Sequence, residues 1–321
     1  MKKKTIFYLL LISVMLGFSN CDSGAQTKRV PVIAQNKQPK KIIYETNMCV
    51  SADDVGALAM IHGLQNRGEA ELLAVCLNAT GDPDGVAAID AINTWYGRGD
   101  IPVGIWKGPF PEENSKYFHA LTSFPHDLDS KSAPSALEVY REVLAKQPDH
   151  SVTIISTGFL QNLDELLRSE PDLVASKVIE LVLMGEHQND YLHFNAHNTA
   201  KAAKNVIENW PTPLVFHHLG TRVMTGSVLK DTPEGNPVRM AYYLQHGSKF
   251  VDFPSYDQIT VLYGVRGAAG YFKQNTTGMG MLRIGYKWDL EKRGDSWLEF
   301  LLPEAAYAAI INDLMLEGPV R

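Results

Sequence analysis

The chain has 321 residues, with 30 lysines and arginines against 36 aspartates and glutamates, and a net charge of −6. No basic cluster follows the first residues, which argues against a nucleic-acid-binding protein. From Lys41 onward about 280 residues remain, enough for one large α/β domain or two small ones.

The N-terminus has the pattern of an export signal. Lys2 to Lys4 precede an apolar run from Ile6 to Phe18, which is too short to span a bilayer and is typical of a signal peptide. The following FSNC resembles a lipobox, in which Cys21 is acylated after cleavage. An ordinary cleaved signal with an unrelated cysteine is the alternative. On either interpretation the protein leaves the cytoplasm.

These features define three predicted regions. Residues 1–21 are a lipoprotein signal peptide, and residues 22–40 are polar, aperiodic and suited to a flexible tether. Residues 41–321 form the domain. We expect the protein to be exported and anchored by lipid to a bacterial membrane, in the periplasm or at the cell surface.

Strand and helix patterns alternate along the domain. The sequence predicts strands in KIIYET, AELLAVCLN, IPVGIW, SVTIIST, VIELVLMG and PLVFHHLG. The predicted helices between them are DDVGALAMIHGLQNRG, DPDGVAAIDAINTWYGRG, SALEVYREVLAKQ, FLQNLDELLRSEP and NTAKAAKNVIENW. These repeated units predict a single α/β domain with a doubly wound, mainly parallel sheet and helices on both faces. Residues 108–135 lack a period and are expected to form an insertion or lid.

Ligands of parallel sheets bind at the carboxyl ends of the strands. One candidate loop there, ETNMCVSADD, carries Glu45 and Asn47 at a strand end and Asp53 and Asp54 at the start of a helix. Gathered oxygen ligands suit Ca²⁺. The two aspartates can equally be plain helix caps that offset the helix dipole.

Three further loops add polar groups. Thr157 lies at a strand-to-helix turn, where its carbonyl can serve as a ligand, and Asp257 follows Tyr256 directly before an apolar helix. Asp257 can again be a plain cap. The last loop is crowded with hydrogen-bonding side chains, namely Asn189, His193, Asn195 and His197. Such a loop suits a polyhydroxyl ligand, and a chance cluster of surface residues is the alternative.

Together these loops resemble the nucleoside hydrolase family, which includes the inosine-uridine-preferring enzymes. The matching elements, in chain order, are the acidic loop ending in DD, the turn TGFLQN, the strand end LMG, the HFN element and the late aspartate Asp257. Their order and approximate spacing agree with the family from Lys41 to about Gly267.

The resemblance implies hydrolysis of an N-glycosidic bond of a nucleoside or related riboside. In the family, Ca²⁺ at the pocket floor binds the ribose diol and a water molecule, which loses a proton to an aspartate and attacks the anomeric carbon. The implied metal ligands are Asn47, Asp54, the Thr157 carbonyl and Asp257. The implied substrate-binding residues are Asp53, Asn78, Asp82, Asn189, His193, Asn195 and Tyr256. The expected partners are a small-molecule nucleoside or riboside, the membrane through Cys21, and, as an option, further copies of the chain.

The chain departs from the family pattern at several positions. Asn47 stands where the family has an aspartate regarded as metal ligand and general base, and an amide cannot take a proton near neutral pH. Glu45 replaces the first aspartate of the loop, Ser51 an acidic residue, and His193 a glutamate expected on the sugar. Several of these changes remove negative charge, so a weakened Ca²⁺ site is expected.

Three functions therefore remain open. The first is Ca²⁺-assisted nucleoside hydrolysis, with Asp53 as the base beside Asn47, and Glu45 as the next acid to consider. The second is a catalytically impaired lipoprotein that binds a nucleoside or sugar. The third is hydrolysis of another glycosidic linkage, suggested by the change at His193.

The lipobox makes one direct prediction. A Cys21→Ser variant should lose its lipid and move from the membrane fraction to the soluble fraction, because the acylated sulfur is gone. Cell fractionation with mass spectrometry of the mature N-terminus measures this. A wild-type protein that is already soluble and begins at another residue would contradict the assignment.

Overall fold

The computed structural model describes residues 38–48, 51–111, 114–185, 199–281 and 286–320. They belong to one compact unit, Lys37–Arg321. The predicted signal peptide and residues 22–37 of the predicted tether lie outside the described residues and remain predictions. Within the described ranges, no helix has both the length and the apolar character needed to cross a membrane.

The described residues form twelve strands. They are β1 (Lys40–Thr46), β2 (Ala70–Leu77), β3 (Val103–Ile105), β4 (Val152–Ser156), β5 (Val178–Met184), β6 (Leu214–His217), β7 (Met224–Thr225), β8 (Phe253–Pro254), β9 (Phe272–Asn275), β10 (Met279–Met281), β11 (Lys287–Asp289) and β12 (Ser296–Phe300). Eight of them form one sheet in the order β3-β2-β1-β4-β5-β6-β12-β9. All neighbours in it are parallel except β12 and β9. The prediction of a mainly parallel, doubly wound sheet is confirmed.

Eleven α-helices lie in the described parts of the chain. They are α1 (Asp53–Asn66), α2 (Gly85–Trp95), α3 (Phe118–Leu121), α4 (Ala136–Ala145), α5 (Gln161–Ser169), α6 (Pro171–Lys177), α7 (Ala200–Asn209), α8 (Pro237–Gln245), α9 (Tyr256–Arg266), α10 (Leu290–Arg293) and α11 (Glu304–Met315). One predicted helix, FLQNLDELLRSEP, ends earlier than expected, at Ser169. Pro171 lacks a backbone N–H and is favoured at the first turn of a helix, so it begins α6 instead.

The central strand β1 contributes to the cores on both faces of the sheet. Ile42 and Tyr44 belong to the core formed with α1, α2, α9 and α11, whereas Ile43 belongs to the core formed with α4, α5 and α7. This follows from the two-residue period of a strand. Gly56 brings α1 close to its neighbours, because an added Cβ would collide with the Tyr242 hydroxyl and lie 2.6 Å from Gln258 Nε2.

Glu45 anchors a buried hydrogen-bond network on the second face of β1. Its Oε1 accepts hydrogen bonds from Asn78 Nδ2 at 2.9 Å and Asn162 Nδ2 at 2.8 Å, and its Oε2 accepts one from Tyr140 Oη at 2.6 Å. Burial raises the pKa of Glu45 to about 7. Because both oxygens are already engaged, the geometry does not favour Glu45 as a reserve base; it ties β1 to the start of α5.

This network predicts a pH dependence of stability. The folded protein holds a proton on Glu45 up to about pH 7, whereas the ordinary pKa is 4.5. The contribution of the carboxyl is therefore complete below about pH 4.5 and is lost as the pH rises through 7. Relative to Glu45→Gln, which keeps an acceptor oxygen without charge, the wild type should lose roughly 3 kcal/mol of unfolding free energy between pH 4.5 and 8.

Urea denaturation across this pH range, with a chelator present, measures the difference. Glu142→Gln is the matched control, since the side chain of Glu142 is 69% exposed, and its curve should follow the wild type. Parallel curves for wild type and Glu45→Gln would show that Glu45 is not a buried, proton-holding group.

Candidate active site

Three carboxylates meet where α1 and α9 begin. Asp53 and Asp54 open α1, directly after the loop that follows β1, and Asp257 lies in the first turn of α9. The two helices pack against each other. Carboxylate oxygens of the three residues lie within 4.8 Å of one another, and their exposed fractions are only 5%, 3% and 2%. The structure thus brings together three residues that the sequence assigned to one site.

Neither aspartate of α1 occupies the helix-cap position. The N-cap is Ala52, whose side chain makes no cap hydrogen bond. Asp54 Oδ1 instead accepts hydrogen bonds from Thr46 Oγ1 at 2.5 Å and Thr157 Oγ1 at 3.2 Å. Asp54 is thus fixed by the ends of β1 and β4, which favours a site over a plain cap.

Burial and crowding make ionisation of the cluster costly. Burial raises the pKa of Asp54 to about 6. Burial and then the Asp54 carboxylate raise the pKa of Asp53, and burial with both neighbours raises that of Asp257. Like charges this close are compatible only with a shared proton or a nearby cation.

Asn47 adds unpaired polar atoms beside Thr46. It is 1% exposed, and neither Oδ1 nor Nδ2 has a hydrogen-bond partner among the described residues; the same holds for Asp257 Oδ1. Buried polar groups are normally paired, so these atoms are available to bind a ligand. Oxygens on opposite sides of a Ca²⁺ ion lie about 5 Å apart, because each is 2.3–2.6 Å from it. The spacing of the carboxylates fits such an ion.

Thr157 lies where the end of β4 meets the end of β1. Its N–H donates to the Glu45 carbonyl at 2.9 Å, and its hydroxyl lies 3.0 Å from Tyr44 Oη. Gly158 permits this close turn, since a Cβ there would lie 2.6 Å from the Asn78 side chain and 2.7 Å from the Asn47 nitrogen. Metal binding by the Thr157 carbonyl stays a prediction.

Two predicted substrate residues are already engaged by the backbone. Asn78 Oδ1 accepts the N–H of Phe159 at 3.1 Å. Asp82 accepts the N–H of Asp84 at 3.0 Å and that of Ser115 at 2.9 Å. Both side chains therefore shape loops, and contact with a substrate stays a prediction for each.

The last predicted residues differ in how far the structure describes them. Tyr256 is partly buried, its ring stacks on His218 with 5.5 Å between centroids, and its hydroxyl donates to Thr221 Oγ1 at 3.1 Å. Its role toward a substrate stays a prediction. Three other candidates lie outside the described residues: Asn189, His193 and Asn195.

Sequence reasoning missed two residues that hold the acidic site, Thr46 in the loop itself and Tyr117 outside it. Thr46 lies on the same face of β1 as Tyr44. That face packs against α1, which carries Asp54, so the two-residue strand period could have identified Thr46. Tyr117 comes from the aperiodic segment and donates to the carbonyls of Met48 and Ser51. No sequence pattern signals that contact.

Comparisons with known proteins identify the family of the chain. The sequence model described as inosine-uridine preferring nucleoside hydrolase matches residues 42–292, which is most of the chain. No curated protein matches the chain.

Several solved structures share the fold. The inosine-uridine preferring nucleoside hydrolase from Bacillus anthracis is 16% identical, with a TM-score of 0.64 over 86% of this chain and 99% of that one. An inosine-guanosine nucleoside hydrolase is 16% identical, with a TM-score of 0.66 over 88% and 100%. The type III effector protein XopQ, solved with adenosine diphosphate ribose, is 13% identical, with a TM-score of 0.63 over 87% and 93%.

At these identities the structures establish the fold, and the family match carries the assignment. It confirms the resemblance drawn from the motifs, and it supports an N-glycosyl hydrolase at the family level. The chain belongs to the inosine-uridine preferring nucleoside hydrolase family.

Proposed function

We propose that the chain is an exported, lipid-anchored enzyme that hydrolyses the N-glycosidic bond of a nucleoside or related riboside with the help of Ca²⁺. The observation that carries this proposal is the buried cluster of Asp53, Asp54 and Asp257, with the unpaired Asn47 on the adjoining loop. Family membership supports the reaction type.

The residues present suit a calcium ion. Asp54, Asp257, Asn47 Oδ1 and the Thr157 carbonyl would hold it, and all of these donors are oxygens, as Ca²⁺ prefers. An amide at position 47 contributes no charge, so weak binding is expected. When bound, the ion would lower the pKa of a water molecule and bind sugar hydroxyls.

Asp53 is the best-placed base of the cluster. Burial, and then the neighbouring Asp54 carboxylate, raise the pKa of Asp53, which makes it a better proton acceptor when ionised than an ordinary aspartate. Asn47 cannot accept a proton, so its part in catalysis would be to orient groups around the reacting water. Asp53 would also accept a hydrogen bond from a sugar hydroxyl.

The remaining substrate contacts complete the proposal. Asn189, His193 and Asn195 would bind the sugar, and Tyr256 would contact the nucleoside beside Asp257. Asn78 and Asp82 would contribute at the edge of the pocket.

A second candidate is a nucleoside-binding lipoprotein without turnover. Asn47 favours it, because an amide stands where the family has an aspartate regarded as the general base. The same unpaired amide can both donate to and accept from a sugar hydroxyl. The two candidates differ only in whether Asp53 supports catalysis.

Turnover assays on two variants separate these functions. General-base assistance contributes about a hundred- to ten-thousand-fold, so Asp53→Asn should reduce kcat by that factor. Asn47→Asp should raise kcat, because it adds a carboxylate that can take a proton. Chromatography of the free base that is released from a panel of nucleosides measures both effects. Asp231→Asn is the control, since this exposed aspartate pairs only with the neighbouring Lys230 among the described residues.

The outcomes point in different directions. A wild-type rate that is indifferent to Asp53→Asn would refute the assigned base. No free base from any nucleoside, together with a rise in melting temperature on adding a riboside, would establish the binding protein instead. In that case Asp53→Asn should weaken binding by about 1.5–3 kcal/mol, the loss of one charged hydrogen bond.

A further inference from the structure

Acidic side chains near α2 hold the aperiodic segment in place. Asp82 Oδ2 accepts the N–H of Ser115 at 2.9 Å, and Asp90 Oδ2 accepts the N–H of Asp127 at 2.7 Å. Both carboxylates are buried or nearly so, with exposed fractions of 9% and 0%. The segment is therefore fixed at two points to the elements that follow β2.

The aperiodic segment places Tyr117 in contact with the acidic loop. Ser115 Oγ accepts the N–H groups of Tyr117 and Phe118 at 3.3 Å each, which orients the start of α3. Tyr117 is fully buried, and its hydroxyl donates to the Met48 carbonyl and, at 3.0 Å, to the Ser51 carbonyl. These carbonyls lie within residues 47–52, the stretch that joins β1 to α1.

The backbone of Met48 has a conformation that neighbouring contacts must stabilise. Its φ of +53° lies in the left-handed region, which is unfavourable for a residue with a side chain. Its N–H donates to Thr46 Oγ1 at 3.2 Å, and the same hydroxyl donates to Asp54. A shift of Met48 would thus move Asn47, its neighbour in the chain, and weaken the bond that holds Asp54.

We propose that Tyr117 is a positioning residue of the site and that Asp82 acts through it. The hydrogen-bond series Asp82–Ser115–Tyr117 fixes the Met48 backbone and thereby places Asn47 relative to the carboxylate cluster. This gives Asp82 a structural role in addition to the substrate contact proposed above. The measurement of Ca²⁺ binding that tests this inference rests on the proposed function. The measurement of backbone hydrogen exchange does not depend on any ligand.

The test removes the hydroxyl alone. In full-length Tyr117→Phe, hydrogen exchange of a peptide spanning residues 44–54 should be faster than in wild type by about tenfold. Calorimetry with Ca²⁺ should show about tenfold weaker binding. Tyr96→Phe is the matched control: Tyr96 is also buried, with an exposed fraction of 3%, and its hydroxyl has no partner within the described ranges. It should leave both readouts within about twofold of wild type.

A double-mutant cycle tests the role of Asp82. Asp82→Ala should accelerate the same exchange, and it should add little in the Tyr117→Phe background, because residues in one network are not additive. If the effects of the two substitutions on hydrogen exchange were fully additive, the proposal that Asp82 acts through Tyr117 would be overturned. If Tyr117→Phe does not fold, Ser115→Ala breaks the same series and is read in the same way.

Unchanged exchange of residues 44–54 in the hydroxyl-deleted protein would overturn the proposal. Failure of the proposed function looks different. A wild type that binds no Ca²⁺ would remove the metal site, while the exchange comparison would still decide whether Tyr117 holds the loop.

Discussion

The mutual repulsion of three buried carboxylates is the constraint on which the site depends. Asp53, Asp54 and Asp257 are held with oxygens within 4.8 Å of one another and almost no access to water. Their raised pKa values show that full ionisation needs compensation, by protons in the free protein or by a cation. The fold maintains this costly arrangement because α1 and α9 are packed together on one face of the sheet.

Most of the sheet could be predicted from the sequence because its strands are continuous apolar runs. β1, β2, β4 and β5 lie within the predicted segments, apart from a one-residue extension of β1 to Lys40. The C-terminal strands could not be predicted in this way. β9 and β12 are short and partly exposed, so they lack the apolar pattern of a buried parallel strand.

The site could be predicted only in part, for a physical reason. Asp54 and Asp257 stand at helix starts, where local pattern and motif coincide. Glu45 is also a carboxylate at the end of β1, yet the strand period turns its side chain to the face opposite the cluster, toward Tyr140. The positioning role proposed for Asp82 depends on a contact with Ser115, 33 residues away in the chain. Such contacts arise from tertiary packing and leave no trace in local sequence.

The central claim is that this cluster is a cation site, and calorimetric titration with Ca²⁺ tests it most directly. The wild type should bind Ca²⁺ weakly but measurably, with proton release near pH 6, because the cation displaces protons from carboxyls of raised pKa. Asn47→Asp should bind more tightly, since it adds a full negative charge. No binding at millimolar Ca²⁺ by either protein would contradict the account.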